Sequence, residues 1–263
     1  MRKRTFLPPT PIPGESAQSF WQPAYWGTSD HEGVGRCLSA VAERVDQGFH
    51  FADNLFTWAR NNSMLDDAEF MKAFVANVES ESDKAIIWRR YILACAAYHC
   101  IHLEGDFVEC GAYAGVGVKT VIDYLGGVDF PKHFWAYDLF DHDDSMLHHR
   151  MPEHGPGLYD RIKRKFEAYP QVTLCKGNIP EVFEGQSPRS VAYLHIDLNE
   201  APAEVAALES LFDRVVTSGI IILDDYEWAG RYRKQKLAED PWLEARHHRV
   251  FPLPTGQGLV IKR

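Results

Sequence analysis

The chain has 263 residues, 45% of them hydrophobic, and 37 acidic against 28 basic side chains give it a net charge of -9. That length and apolar share support a large buried core, while the acidic balance argues against nucleic acid as a partner. Runs of 18 apolar residues are absent, so no membrane span and no membrane partner is expected. The start, MRKRTFLPPTPIPGES, is basic and proline-rich without an apolar centre, which predicts a flexible lead-in rather than a secretory signal. Residues 37 to 48, 66 to 78 and 84 to 101 place apolar side chains at helical spacing, and Asp66 and Asp67 are available to cap the second helix. Trp21, Tyr25, Trp26, Phe49, Phe51, Phe56 and Trp58 cluster in the same region. Ordinary packing of a helical layer is the first reading of these rings, and a lid over a flat or sugar-like acceptor is the second. They exceed what one sheet face needs, so a symmetric homodimer is expected. The cysteines at 37, 95, 100, 110 and 175 form no C-x-x-C pair and sit mostly in apolar segments, as in a reduced, cytoplasmic protein.

Asp106 to Gly117, DFVECGAYAGVG, has the pattern of a buried strand entering a glycine-bearing turn, with a helix starting near Val116 and running to Leu125. The spacing of Gly111, Gly115 and Gly117 is neither G-x-G-x-x-G nor a P-loop. A carboxylate at Glu109, two residues ahead of the first glycine, would repel a pyrophosphate. The turn, including Ala112 and Tyr113, therefore suits a neutral or cationic nucleoside, and S-adenosylmethionine, with its ammonium and sulfonium, fits. HFWAYD, residues 133 to 138, is a second strand, and it ends in Asp138, where α/β nucleoside sites place an acid on the ribose. VTLCKG at 172 to 177 is a third, followed by Asn178 as a candidate for the adenine edge. VAYLHID at 191 to 197 and GIIILDD at 219 to 225 both end in acids, and between them Val205, Leu208, Leu211 and Phe212 share one face of a helix expected over 201 to 217. HHRVFPLP and GLVIKR, joined by Thr255-Gly256-Gln257, read as an antiparallel pair. The fold class expected is α/β, a Rossmann-like and mostly parallel sheet closed by an antiparallel hairpin, with residues 1 to 100 as a helical lid region and 101 to 263 as the core.

The order and spacing of DNLFTWARNNSML at 53 to 65, IIWRRYIL at 86 to 93, DFVECGAYAGVG, AYDLFD at 136 to 141, LHIDLNE at 194 to 200 and SGIIILDDY at 218 to 226 carry a resemblance. From about Asp53 to Arg263 the chain resembles the macrocin O-methyltransferase family of class I S-adenosylmethionine-dependent methyltransferases. The resemblance implies methylation of a sugar hydroxyl on a natural product with S-adenosylmethionine and Mg²⁺, and N-terminal helices that cover the site and help form dimers. Related enzymes read I-D-x-D after the fourth strand, their second Asp being the proposed base, whereas this chain reads Ile196-Asp197-Leu198-Asn199. An amide cannot take the proton.

The acids at the strand ends carry the expected chemistry. Asp197, Asp224 and Asp225 form an all-oxygen set suited to Mg²⁺, unless Asp224 or Asp225 only caps a following helix. Glu109, Gly111, Ala112, Tyr113, Gly115, Asp138, Asn178 and Asp197 are the expected cofactor residues. Asp197 and Asn199 face the acceptor, with His195, His142, His247 and His248 as alternative proton acceptors. His195 also reads as a structural histidine inside an apolar strand, and the run His148-His149, near His142, Asp143 and Asp144, has a weaker transition-metal reading. The reading that emerges is an S-adenosylmethionine-dependent, metal-assisted O-methyltransferase for a small-molecule or glycan acceptor. A non-catalytic S-adenosylmethionine-binding protein and a nucleotide-dependent oxidoreductase are its rivals.

Overall fold

The computed structural model describes residues 17–143, 146 and 150–263, and the chain divides into two compact units, Met1–Tyr91 and Ile92–Arg263. His148, His149 and Asp144 lie outside the described residues.

The first unit is less helical than its apolar spacing predicts. Helices α1 (His31–Ala42), α2 (Ser63–Asp66), α3 (Ala68–Asn77) and α4 (Glu81–Ala85) are joined by the start of α5 (Ile87–Cys100), which runs into the second unit. α1 begins at His31 rather than 37 because Asp30 accepts a hydrogen bond from Gly33 N–H and so caps it. Asp67 caps α3 in the same way by accepting from Phe70 N–H, as expected. Three short strands, β1 (Phe20–Trp21), β2 (His50–Ala52) and β3 (Leu55–Thr57), form a small sheet where only helices were expected. The hairpin between β2 and β3 turns on Asp53 and Asn54, with φ of 51° and 61°, and those two residue types tolerate this left-handed conformation. Much of the aromatic cluster packs around Phe51, whose ring lies 4.9 Å from Trp21 and 5.4 Å from Tyr25. Asp53 is then locked by Arg89, which donates through Nε at 2.7 Å and Nη2 at 3.0 Å.

The second unit is built on a seven-stranded sheet. Its elements in chain order are β4 (Asp106–Cys110), α6 (Val116–Tyr124), β5 (Phe134–Asp138), α7 (Leu158–Lys165), β6 (Val172–Lys176), β7 (Val191–Ile196), α8 (Ala201–Leu211), β8 (Val215–Leu223), α9 (Arg233–Glu244), β9 (Phe251–Pro252) and β10 (Gly258–Ile261). The spatial order is β6-β5-β4-β7-β8-β10-β9, parallel from β6 to β8, with β10 antiparallel to both of its neighbours. The expected mostly parallel sheet with a C-terminal antiparallel hairpin is borne out.

Both faces of the sheet are covered, which is why β7 is buried at all six positions and reads as a continuous apolar run. Phe107, Phe134, Tyr193 and Ile222 pack on one face with Val118 and Ile122 of α6, and Val108, Tyr137, Leu194 and Leu223 pack on the other with Leu208 and Leu211 of α8. Burial on this scale is worth roughly 1.5 to 3 kcal/mol per large apolar side chain. The helix expected over 201 to 217 stops at Leu211, and after a single 3-10 turn, Phe212–Arg214, strand β8 begins at Val215. Val215, Val216 and Thr217 are β-branched and gain more from pairing than from helix, and a register shift opposite Val191 to Tyr193 admits the extra length. The parallel strands all end at one edge, where their connecting loops gather the polar residues.

Candidate active site

The loop from Gly111 to Gly115 wraps over the end of β4. Gly111 has φ 98°, and a Cβ built on it would stand 1.8 Å from the carbonyl oxygen of Asp197, so only glycine lets the turn pass the end of β7. Gly115, at φ 70°, opens α6, where a Cβ would meet the Phe166 ring at 2.8 Å. Asp138 ends β5 directly beneath this loop. Its Oδ2 accepts from Tyr113 N–H at 2.7 Å, and its Oδ1 accepts from Phe140 N–H. Burial pushes the Asp138 carboxyl up to about 6; the Phe140 amide opposes that shift, and the charge of Glu109 adds to it. The Tyr113 hydroxyl accepts from Glu153 N–H at 2.9 Å, and the His154 ring stands edge-on to Tyr113 at 5.1 Å. Asn178, at the end of β6, donates to Glu181 at 2.8 Å on the exposed side of that turn.

On the other side, Glu109 of β4 sits in register with His195 of β7. His195 is fully buried, with Nδ1 at 3.3 Å from Glu109 Oε2 and Nε2 at 3.3 Å from Asp224 Oδ1. Burial works against a charged ring, but Glu109 and Asp224 outweigh it and raise His195 to about 10. Both ring nitrogens face carboxylates, an arrangement that favours the charged ring and ties Glu109 to Asp224 across β7. Asp224 Oδ1 also accepts from the buried Gln257 Nε2 at 2.7 Å, and Thr255 Oγ1 donates to Gln257 Oε1 at 2.9 Å, which orients that amide.

Asp197 follows β7, its N–H donating to Cys110 O at 2.8 Å. His195, Asp197 and Asp224 each bring one ligand atom within 4.8 Å of the others. Asp225 is buried beside them but outside this group, where the sequence placed it as a third ligand. Neither Asp224 nor Asp225 caps a helix: the chain turns with Trp228 N–H donating to Asp225 O, and α9 starts only at Arg233 behind Tyr232. Asn199 adopts a left-handed conformation at φ 59°, and its Nδ2 lies 3.4 Å from Asp197 Oδ1. Among the other histidines, His248 is engaged on both ring nitrogens, by Arg246 O at 2.7 Å and Arg263 N–H at 3.2 Å. Arg263 lies just past β10, whose Ile261 pairs with Ile220 at the early part of β8, so His247 and His248 stand at the opposite edge from Asp197. His142 stacks on His154 with ring centroids 5.8 Å apart.

Three buried residues of this edge escaped the sequence reading. Glu204 of α8 accepts from Leu198 N–H at 3.2 Å and from Gln235 Nε2 of α9 at 2.7 Å, and Glu239 of α9 faces it. A signal existed: Glu204 lies one turn ahead of Leu208 on the apolar face of α8, a buried polar group that needs a reason.

Residues 108–226 match the family described as a methyltransferase domain. That stretch begins inside β4 and ends past β8, so it takes in Glu109, the glycine turn, Asp138, Asp197, Asp224 and Asp225. The match bears out the expected methyltransferase class. No curated protein matches the chain. Among solved structures, the O-methyltransferase NovP is similar at a TM-score of 0.56 and 18% identity over 67% of this chain and 80% of its own. CalS11, a TDP-rhamnose 3′-O-methyltransferase of calicheamicin biosynthesis, is similar at 0.55 and 12% identity over 90% and 96%. The Podospora anserina methyltransferase PaMTH1 bound to SAH is similar at 0.51 and 10% identity over 90% and 98%. At such identities the likeness establishes the fold, the Rossmann-like methyltransferase fold expected from the sequence, and nothing in it singles out the narrower macrocin family.

Proposed function

We propose that the chain is an S-adenosylmethionine-dependent O-methyltransferase that methylates a hydroxyl of a sugar or glycosylated small molecule with the help of Mg²⁺. The observation that carries this is the meeting, at one sheet edge, of a glycine turn over Asp138 with the acid pair Asp197 and Asp224. Asp138 suits the ribose hydroxyls, and the acids Glu109 and Asp138 at neighbouring strand ends suit a cationic methyl donor better than a pyrophosphate. Bound S-adenosylmethionine would supply the methyl group, and the work of the chain would be to align its sulfur with the acceptor oxygen and to stabilise charge on that oxygen.

Asp197 and Asp224 fit a hard divalent cation, because both are oxygen donors and a carboxylate oxygen of each lies within 4.8 Å of the other. Bound Mg²⁺ would supply the positive charge that lowers the pKa of an acceptor hydroxyl. Asn199 can hold the acceptor by hydrogen bonding but cannot take its proton, which then passes to solvent. The sugar acceptor of CalS11 favours a sugar hydroxyl here. Asn199 also supports a second reading, a protein that binds the nucleoside without transferring the methyl group.

Two further elements complete the reading. A symmetric homodimer is supported by exposed Trp26 and Trp58, and a reducing, cytoplasmic setting by five cysteines that form no disulfide. Calorimetric titration with S-adenosylmethionine, NAD⁺ and NADP⁺ tests the cofactor, and binding of a nicotinamide nucleotide alone would overturn the assignment. Methyl transfer from labelled S-adenosylmethionine to TDP-rhamnose, with and without EDTA, then tests the acceptor class and the metal.

A further inference from the structure

Glu204 reaches from α8 into the loop between Asp197 and Asn199. It stands on α8 at 3% exposure, and its Oε1 accepts both from Leu198 N–H at 3.2 Å and from Gln235 Nε2 at 2.7 Å. Gln235 and Glu239 come from α9 and are 2% and 0% exposed. Glu239 has no hydrogen-bond donor at either oxygen, so the group it faces, Glu204, is its remaining source of one. Two carboxyls buried side by side away from water cannot both carry charge, which favours a proton on one of them. Burial accordingly raises both groups, Glu239 to about 7.

A buried acid costs stability unless its bonds repay it, and the bonds here converge on a single backbone amide. Leu198 lies between the residue offered to the metal and the residue offered to the acceptor, and Asn199 beside it is held in a left-handed conformation at φ 59°. A loop bent this way keeps its shape only while its surroundings hold it. The geometry points to Glu204 as a positioning residue for methyl transfer: gripped by Gln235 and Glu239, it fixes the Leu198 amide and thereby the directions of Asp197 and Asn199. This role rests on the proposed function for its consequence in catalysis, but the grip on Leu198 is testable without it.

Three variants of the full chain separate the possibilities: Glu204→Ala, Glu204→Gln and Gln235→Ala. The glutamine side chain keeps an oxygen for Leu198 and Gln235 and offers an amide to Glu239, so it takes the place of a proton on the pair. Hydrogen exchange at the Leu198 amide, calorimetry with Mg²⁺ alone, and calorimetry with S-adenosylmethionine alone are the readouts. In Glu204→Ala, exchange at Leu198 should rise and Mg²⁺ should bind on the order of tenfold more weakly, as when a residue that orients a metal ligand is lost. Affinity for S-adenosylmethionine should change less, by about twofold, because of its expected residues only Asp197 adjoins Leu198, while Tyr113 and Asp138 are held by each other. Glu204→Gln should restore both readouts, and Gln235→Ala should lie between the two. Unchanged exchange at Leu198 in the alanine variant would overturn the proposal, as would a glutamine variant that behaves like alanine. If Glu204→Ala fails to fold, the glutamine and Gln235→Ala variants decide it by the same exchange readout. A wild-type chain that ignores S-adenosylmethionine would sink the proposed function and leave the exchange result standing.

Discussion

The two halves of the sheet's carboxyl edge are held in different ways. On the cofactor side, the loop from Gly111 to Gly115 is fixed by backbone groups, with Tyr113 N–H and Phe140 N–H both donating to Asp138. On the other side, Asp224 and the Leu198 amide between Asp197 and Asn199 are held by buried polar side chains drawn from α8, α9 and the turn before β10. On the proposed reading, the nucleoside is met by a local device of backbone and one carboxylate, whereas the acceptor is met by residues that distant side chains hold. The first depends on Gly111 and on the single carboxylate of Asp138. The second carries charge in a dry setting and is sensitive to each member.

The sharpest way to break this contrast is to remove the ring that lies between Glu109 and Asp224. His195→Leu leaves Glu109 and Asp224 buried without the group between them, and breaking such a buried arrangement costs roughly 3 to 5 kcal/mol. Thermal and urea unfolding should show that loss, and a variant of wild-type stability would mean that the carboxyls are protonated instead.

Next in size is Asp224→Ala. If Asp197 and Asp224 hold Mg²⁺, methyl transfer should fall on the order of a hundredfold or more, with S-adenosylmethionine affinity nearly intact. Comparable loss in EDTA-treated wild-type protein would support the same assignment, and full activity in either case would make these acids structural.

Asp138→Ala probes the cofactor side and should weaken S-adenosylmethionine by roughly 1.5 to 3 kcal/mol, the worth of hydrogen bonds to a charged acceptor. The pH dependence sharpens this. The Asp138 carboxyl rises from 3.8 to about 6 on folding, so the folded state favours its protonated form. Its contribution to stability is present below 3.8 and lost as pH rises through about 6, while affinity for a ribose that needs the carboxylate grows over that window. Calorimetry across pH 5 to 7, at roughly half-unit steps, should show affinity rising with pH in wild type and flat in Asp138→Asn. The smallest effect expected is Asn199→Asp, which should keep the rate or raise it a few-fold by restoring a proton acceptor. A rate that drops in this variant would mean that the amide donates a bond the acceptor needs.

Much of this edge was legible before any coordinates, and the reason is locality. The strand of Asp106–Cys110 followed by glycines, and acids at the ends of β5, β7 and β8, are signals contained within a dozen residues or so. The hairpin at β2 and β3 was not legible, because Asp53 and Asn54 turn the chain while the flanking aromatics suit a helix face equally well. Nor was the end of α8, where β-branched Val215 to Thr217 follow an apolar helix without a break in hydrophobicity.

Local pattern by itself determined the alternation of strand and helix, the glycine turn that must pass close to another backbone, and the acids that end the strands, because period and side-chain shape act over neighbouring residues. Which acids face one another was decided only by the tertiary structure. Gln257 reaches Asp224 across 33 positions of chain, and Gln235 reaches Glu204 across 31. His195 gains its charge from Glu109 and Asp224, which lie on the strands to either side of it. A buried charge is stabilised only by a partner in space, and strand order, which no stretch of sequence contains, sets which partner it has.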